Sequence, residues 1–113
     1  MNPNTSNTEI TPKELKAMLE SGKDPVLLDV REPHELAICA LPGIMHIPMG
    51  DLPHHLDELK PHQNRDIVVI CRSGARSDRC AMFLRQQGFT SVINLLGGML
   101  GWSDEVDASV QKY

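Results

Sequence analysis

The chain has 113 residues, enough for one packed domain and too few for two. Apolar residues make up 41% and charged ones 23%, the balance of an ordinary globular protein. A net charge of −4 gives no general attraction to nucleic acid or to an anionic membrane, so any anion site must be local.

The opening MNPNTSNTE, residues 1–9, is a polar leader expected to be flexible, and it lacks the basic and apolar runs of a secretory signal. No stretch approaches the roughly 20 apolar residues of a membrane span. Three cysteines cannot all pair, which leaves at least one free thiol and suggests a reducing, cytoplasmic setting.

Thr11-Pro12-Lys13-Glu14 is a capping box with proline at the first helical position, and Ile10 and Leu15 can staple it. The helix it opens is expected to run to about Glu20 and stop at Gly22. Val26 to Val30 reads as a strand buried on both faces, broken only by Asp29. Pro33 to Ile38 suits a short helix, and Ile44 to Ile47 a second strand closed by Pro48. Leu52, Leu56 and Leu59 stand at helical spacing, predicting a helix from Asp51 to Leu59 that Pro61 ends. Ile67 to Ile70, all β-branched, is the most strand-like run. Arg76 to Gln87 is the strongest helix, with Ser77, Cys80, Ala81 and Leu84 on one face and Gly88 as its cap. A strand over Ser91 to Leu95 follows, and Gly97-Gly98 leads into a last helix from about Met99 to Val106. Strands alternating with helices in this rhythm imply a parallel sheet covered on both faces.

The segment Ile70-Cys71-Arg72-Ser73-Gly74-Ala75-Arg76-Ser77 carries the chemistry. A buried strand delivers Cys71 to its carboxyl end, where ligands bind in open α/β sheets. Only four residues separate Cys71 from Arg76. In so short a loop successive backbone N–H groups can turn inward and form an anion nest. Gly74 permits the left-handed backbone that closes it, and the following helix adds positive potential from its N-terminus. These features favour a thiolate on Cys71, the nucleophilic form. Arg72 and Arg76 can contact an anionic donor, and Ser73 and Ser77 can donate hydroxyl hydrogens to it. A domain this small is expected to leave Cys71 near the surface.

CRSGARS, residues 71–77, resembles the active-site loop of the rhodaneses, in which the cysteine carries sulfur. Asp29-Val30-Arg31-Glu32 followed by Glu35 resembles the family's first signature. Leu41-Pro42-Gly43-Ile44 with Ile47-Pro48, and Asn94-Leu95-Leu96-Gly97-Gly98-Met99 with Trp102, resemble its two further motifs. They run in the family's order across residues 10–106. One departure stands out: rhodaneses usually carry Gly-His before the Pro-Gly segment, where this chain has Cys39-Ala40.

The resemblance implies a rhodanese-like α/β domain over residues 10–106, with 107–113 as a C-terminal tail. Its central sheet would be mainly parallel, of about five strands, with helices on both faces. It implies a sulfurtransferase that moves sulfane sulfur by a ping-pong exchange through a Cys71 persulfide. Arg72, Ser73, Gly74, Ala75, Arg76 and Ser77 would bind the substrate, with Asp29, Arg31 and Glu32 in support. No cofactor is implied. The donor would be a small anion such as thiosulfate, and the acceptor cyanide, a low-molecular-weight thiol or a protein thiol.

Other residues take structural readings. Cys80 and Cys39 are expected in the core, and Trp102 as the anchor of the last helix. Asp29 interrupts an apolar strand and needs a partner, either loop N–H groups or Arg31. Glu35 is expected to support the same region. Adjacent His54 and His55 cannot face one site on a helix, and His34, His46 and His62 fall at no ligand spacing, so no metal is expected. Two rival functions are weighed. A cysteine phosphatase or arsenate reductase would use a similar cradle, but with a loop one residue longer. A docking module of this type would usually have lost the cysteine.

Overall fold

The computed structural model describes residues 8–113. Of the expected polar leader, residues 1–7 lie outside the described residues; Glu9 belongs to a strand.

Five strands, all paired in parallel, form one sheet: β1 (Glu9–Ile10), β2 (Val26–Asp29), β3 (Met45–His46), β4 (Ile67–Ile70) and β5 (Val92–Leu95). Their order across the sheet is β1-β5-β4-β2-β3. Every residue of β2, β4 and β5 is buried, as sheet centres covered on both faces require. Alternation along the strands sends Val26, Leu28, Val69 and Val92 to one apolar cluster and Leu27, Val68, Ile70 and Ile93 to the other. The sheet is therefore sandwiched, the α/β architecture the strand–helix rhythm implies.

Helix α1 (Pro12–Glu20) opens with the expected capping box: the Glu14 N–H donates to Thr11 Oγ1 at 3.1 Å and the Thr11 N–H to Glu14 Oε1 at 2.9 Å. Ile10 and Leu15 are buried in one cluster, together with Trp102 of α5 (Gly98–Glu105). The opposite face is covered by α4 (Ala75–Gln86), whose Cys80, Ala81 and Leu84 are buried.

Two expected elements are shorter than the sequence suggests. The second expected strand shrinks to β3, two edge residues, and the short helix to α2 (Pro33–Leu36). The helix expected over Asp51–Leu59 is instead a 3₁₀ segment, Met49–His54, followed by α3 (Leu56–Leu59) and a second 3₁₀ turn, Lys60–His62. The break falls at His55, whose backbone (φ −125°, ψ 21°) leaves the helical region between the first two segments. The Leu52, Leu56 and Leu59 side chains still reach the core despite the break.

Strand β4 lies at the sheet centre between β2 and β5. Its last residue, Ile70, pairs with Asp29, and Val69 pairs with Asn94. The residue after β4, Cys71, thus emerges between the segment that follows β2 and the end of β5.

Candidate active site

Cys71 begins a tight turn that Gly74, at φ +108°, closes into the first turn of α4. The Gly74 N–H donates to Cys71 Sγ at 3.0 Å, and Ser77 Oγ lies 3.3 Å from the same sulfur. Burial opposes ionisation of the thiol. The Ser77 hydroxyl and the backbone N–H groups of Ser77, Gly74 and Ser73 favour it, and the balance places Cys71 below the ordinary cysteine value. Cys80 shows the opposite case: burial and the nearby Cys71 charge push its thiol up to about 11. Of the two buried thiols, only Cys71 is set up as a nucleophile.

The cradle is held from outside. Ser77 Oγ donates to Asn94 Oδ1 at 2.5 Å, and Asn94 Nδ2 donates to the Gly74 carbonyl at 3.2 Å. On the far side, the Met99 and Leu100 N–H groups donate to the Cys71 and Arg72 carbonyls at 2.9 and 3.0 Å. With those carbonyls pulled outward to α5, the loop N–H groups are left to face the sulfur. Gly98 makes this approach sterically feasible: a Cβ there would lie 2.3 Å from the Cys71 carbonyl oxygen.

The arginines are placed differently from a bare anion clamp. Arg76 forms a two-point pair with Glu35, at 2.7 and 2.8 Å, which lowers the Glu35 carboxyl to about 2. Arg72 is exposed and directed to Tyr113, bonding its main-chain carbonyl and stacking over its ring at 5.1 Å. Neither arginine bonds the Cys71 sulfur. Ser73 and Ala75 are exposed on the loop.

Asp29 and Arg31 are both fully buried and pair with each other, Nε and NH2 to the carboxylate at 2.8–3.1 Å. Arg31 also donates to the Cys39 carbonyl at 2.7 Å, fastening the chain after α2. Asp29 is thereby fully engaged in structure. Glu32 is exposed, and its N–H donates to Glu35 Oε2 at 2.9 Å. Cys39 is half-buried against the α1–α5 cluster. Among the described residues no group of three or more His, Cys, Asp or Glu side chains gathers to hold a metal.

Cys71 is only 1% exposed, so the expectation of a thiol near the surface is corrected. Its side chain belongs to the buried cluster on the α4 face of the sheet. Three residues that complete the site, Glu35, Asn94 and Tyr113, were outside the expected substrate-binding set. Glu35 and Asn94 lay inside quoted motifs, whereas nothing in the sequence pointed to Tyr113.

A buried, hydrogen-bonded cysteine at the carboxyl end of a central parallel strand, in a glycine-closed loop on a helix N-terminus, is an arrangement suited to nucleophilic thiolate chemistry. The rhodanese-like domain model matches residues 11–105, and the chain belongs to that family. A sulfurtransferase of Allochromatium vinosum is 38% identical over 95 residues, which cover 84% of this chain and 87% of that protein. Two solved structures share the fold. A rhodanese-like domain protein of Staphylococcus aureus superposes with a TM-score of 0.80 at 30% identity, covering 94% of this chain and 98% of that one. The human single-domain sulfurtransferase TSTD1 gives 0.75 at 27% identity, covering 88% and 98%. These relatives support rhodanese-type sulfur transfer as the class of activity. No described helix is long and apolar enough to cross a membrane.

Proposed function

We propose that the protein is a sulfurtransferase in which Cys71 carries sulfane sulfur as a persulfide. In the first step the Cys71 thiolate attacks the sulfane sulfur of a donor, thiosulfate or a persulfide. A new S–S bond forms, and sulfite or a thiolate leaves with the electron pair. In the second, an acceptor nucleophile (cyanide, a small thiol or a protein thiol) attacks the outer sulfur. The Cys71 S–S bond breaks, and Cys71 departs as a thiolate. The cradle suits both halves, because Cys71 is an anion before loading and again after release. Burial of Sγ also fits a carrier: the transferable sulfur stands about 2 Å beyond it, so the atom to be passed on is the outermost one.

The observation that carries this reading is the pair of contacts on Cys71 Sγ: the Gly74 N–H donates to it at 3.0 Å and Ser77 Oγ lies 3.3 Å away. Phosphatase or arsenate reductase chemistry would need a general acid at the leaving group, and Asp29 is committed to Arg31.

The test is intact mass spectrometry before and after incubation with thiosulfate or glutathione persulfide, followed by peptide mapping. One reductant-labile sulfur is expected on the Cys71 peptide, retained in Cys80→Ser and lost in Cys71→Ser. Protein that gains sulfur from neither donor would overturn the proposal.

A further inference from the structure

Tyr113 reaches both ends of the active loop. Its hydroxyl donates to Glu35 Oε1 at 2.9 Å and accepts from Arg31 NH1 at 2.9 Å. Its ring lies under the Arg72 guanidinium at 5.1 Å and the Arg31 guanidinium at 5.9 Å, and its carbonyl accepts from Arg72. Glu35 in turn pairs with Arg76. A continuous set of contacts therefore runs from Arg72 through Tyr113 and Glu35 to Arg76, joining the two arginines of the loop.

This arrangement spends the positive charge a small oxyanion would need. Arg31, Arg72 and Arg76 stand with two carboxylates, Asp29 and Glu35, in one bonded cluster. Arg72 is taken up by the main-chain oxygen and the ring of Tyr113. A dianion such as thiosulfate must then displace Tyr113 from Arg72, or Glu35 from Arg76, to find a charge-assisted partner for its sulfonate oxygens. A persulfide has no sulfonate to place. Its reaction requires only that the Cys71 thiolate attack the outer sulfur of RS–SH. The Cys71 S–S bond forms, the donor S–S bond breaks, and RS⁻ leaves with the electron pair.

We infer that Tyr113 is a specificity-determining residue that sets the site against small dianionic donors and toward persulfides whose leaving group is a thiol. The inference rests on the sulfur-transfer reading above and names its donor class.

The experiment compares donor kinetics in the full chain, using thiosulfate and glutathione persulfide with a common acceptor. Deletion of Tyr113 removes both its ring and its main-chain oxygen from Arg72 and should lower the KM for thiosulfate about tenfold, the scale of one charge-assisted hydrogen bond. The KM for glutathione persulfide should hold steady, because its transferable sulfur carries no sulfonate for Arg72 to bind. Tyr113→Phe keeps the ring on Arg72 but loses the hydroxyl bonds, and should fall between. An unchanged thiosulfate KM on deletion of Tyr113 overturns the inference, as does an equal loss with both donors, which would mark a structural role. Wild-type protein loaded by neither donor would overturn the sulfur-transfer reading and this inference with it.

Discussion

The side chains of Cys71 and Asn94 meet through one hydroxyl: Ser77 Oγ lies 3.3 Å from Cys71 Sγ and donates to Asn94 Oδ1. Ser77 has a single hydrogen for both acceptors. With Cys71 protonated, its S–H can donate to Ser77 while Ser77 donates to Asn94. Once Cys71 ionises, the Ser77 hydrogen is drawn to the sulfur. Asn94 thus competes with the thiolate that its own strand helps to position.

Ser77→Ala and Asn94→Ala should therefore act in opposite directions on Cys71. Without Ser77 the thiolate loses a donor, and iodoacetamide alkylation at neutral pH should slow about tenfold. Without Asn94 the Ser77 hydrogen is released to the sulfur, and the pH midpoint of alkylation should move down. The pH profile of Cys71 alkylation, read by peptide mass, checks both. A shift of the same sign in the two variants would contradict the shared-proton arrangement.

Glu35 should govern stability in acid. Its carboxyl titrates at about 2 in the folded protein because Arg76 is bound to it, against an ordinary 4.5. A depressed carboxyl stabilises the fold above its unfolded value, and that contribution is lost as pH falls from 4.5 toward 2. Its size is about 3 kcal/mol. Glu35→Gln should be less stable than wild type at neutral pH, with the gap closing in acid, as urea unfolding across this range would measure.

Asp29→Ala should be among the most damaging substitutions outside the loop. It leaves the Arg31 guanidinium buried without its carboxylate, which costs about 3–5 kcal/mol. In a domain of this size the Tm should fall by about 15 °C or more, measurable by circular dichroism.

Gly98→Ala should harm stability and sulfur loading together. The added methyl meets the Cys71 and Arg72 carbonyl oxygens at 2.3 and 2.6 Å, and the backbone stands at φ +54°. Strain of this kind costs about 3 kcal/mol, and relief requires α5 to withdraw from the loop. Gly101→Ala in the same helix, whose nearest clash is 3.2 Å, should be milder in both assays.

What could be read in the sequence was what neighbouring residues decide. The capping box at Thr11, the buried run Ile67–Ile70 and the φ requirement at Gly74 depend on residues within one turn or one strand. The break at His55 left no such mark, and the leucine spacing concealed it, because 3₁₀ and α segments in succession still delivered those leucines to the core. Strand β1 has only two residues, too few for any alternation to register. The partners of the loop arginines lay beyond local reach: Glu35 and Tyr113 stand 41 residues from Arg76 and Arg72. Such pairings follow only from the sheet order, which sets β2 and β5 on either side of β4.

The bonds from Met99 and Leu100 to the Cys71 and Arg72 carbonyls make the loop the joint product of two segments 28 residues apart in the chain. Any motion that lifts α5 off the sheet releases both carbonyls and loosens the N–H groups around Cys71, so the reactivity of this thiol is a direct readout of whether the last helix is docked.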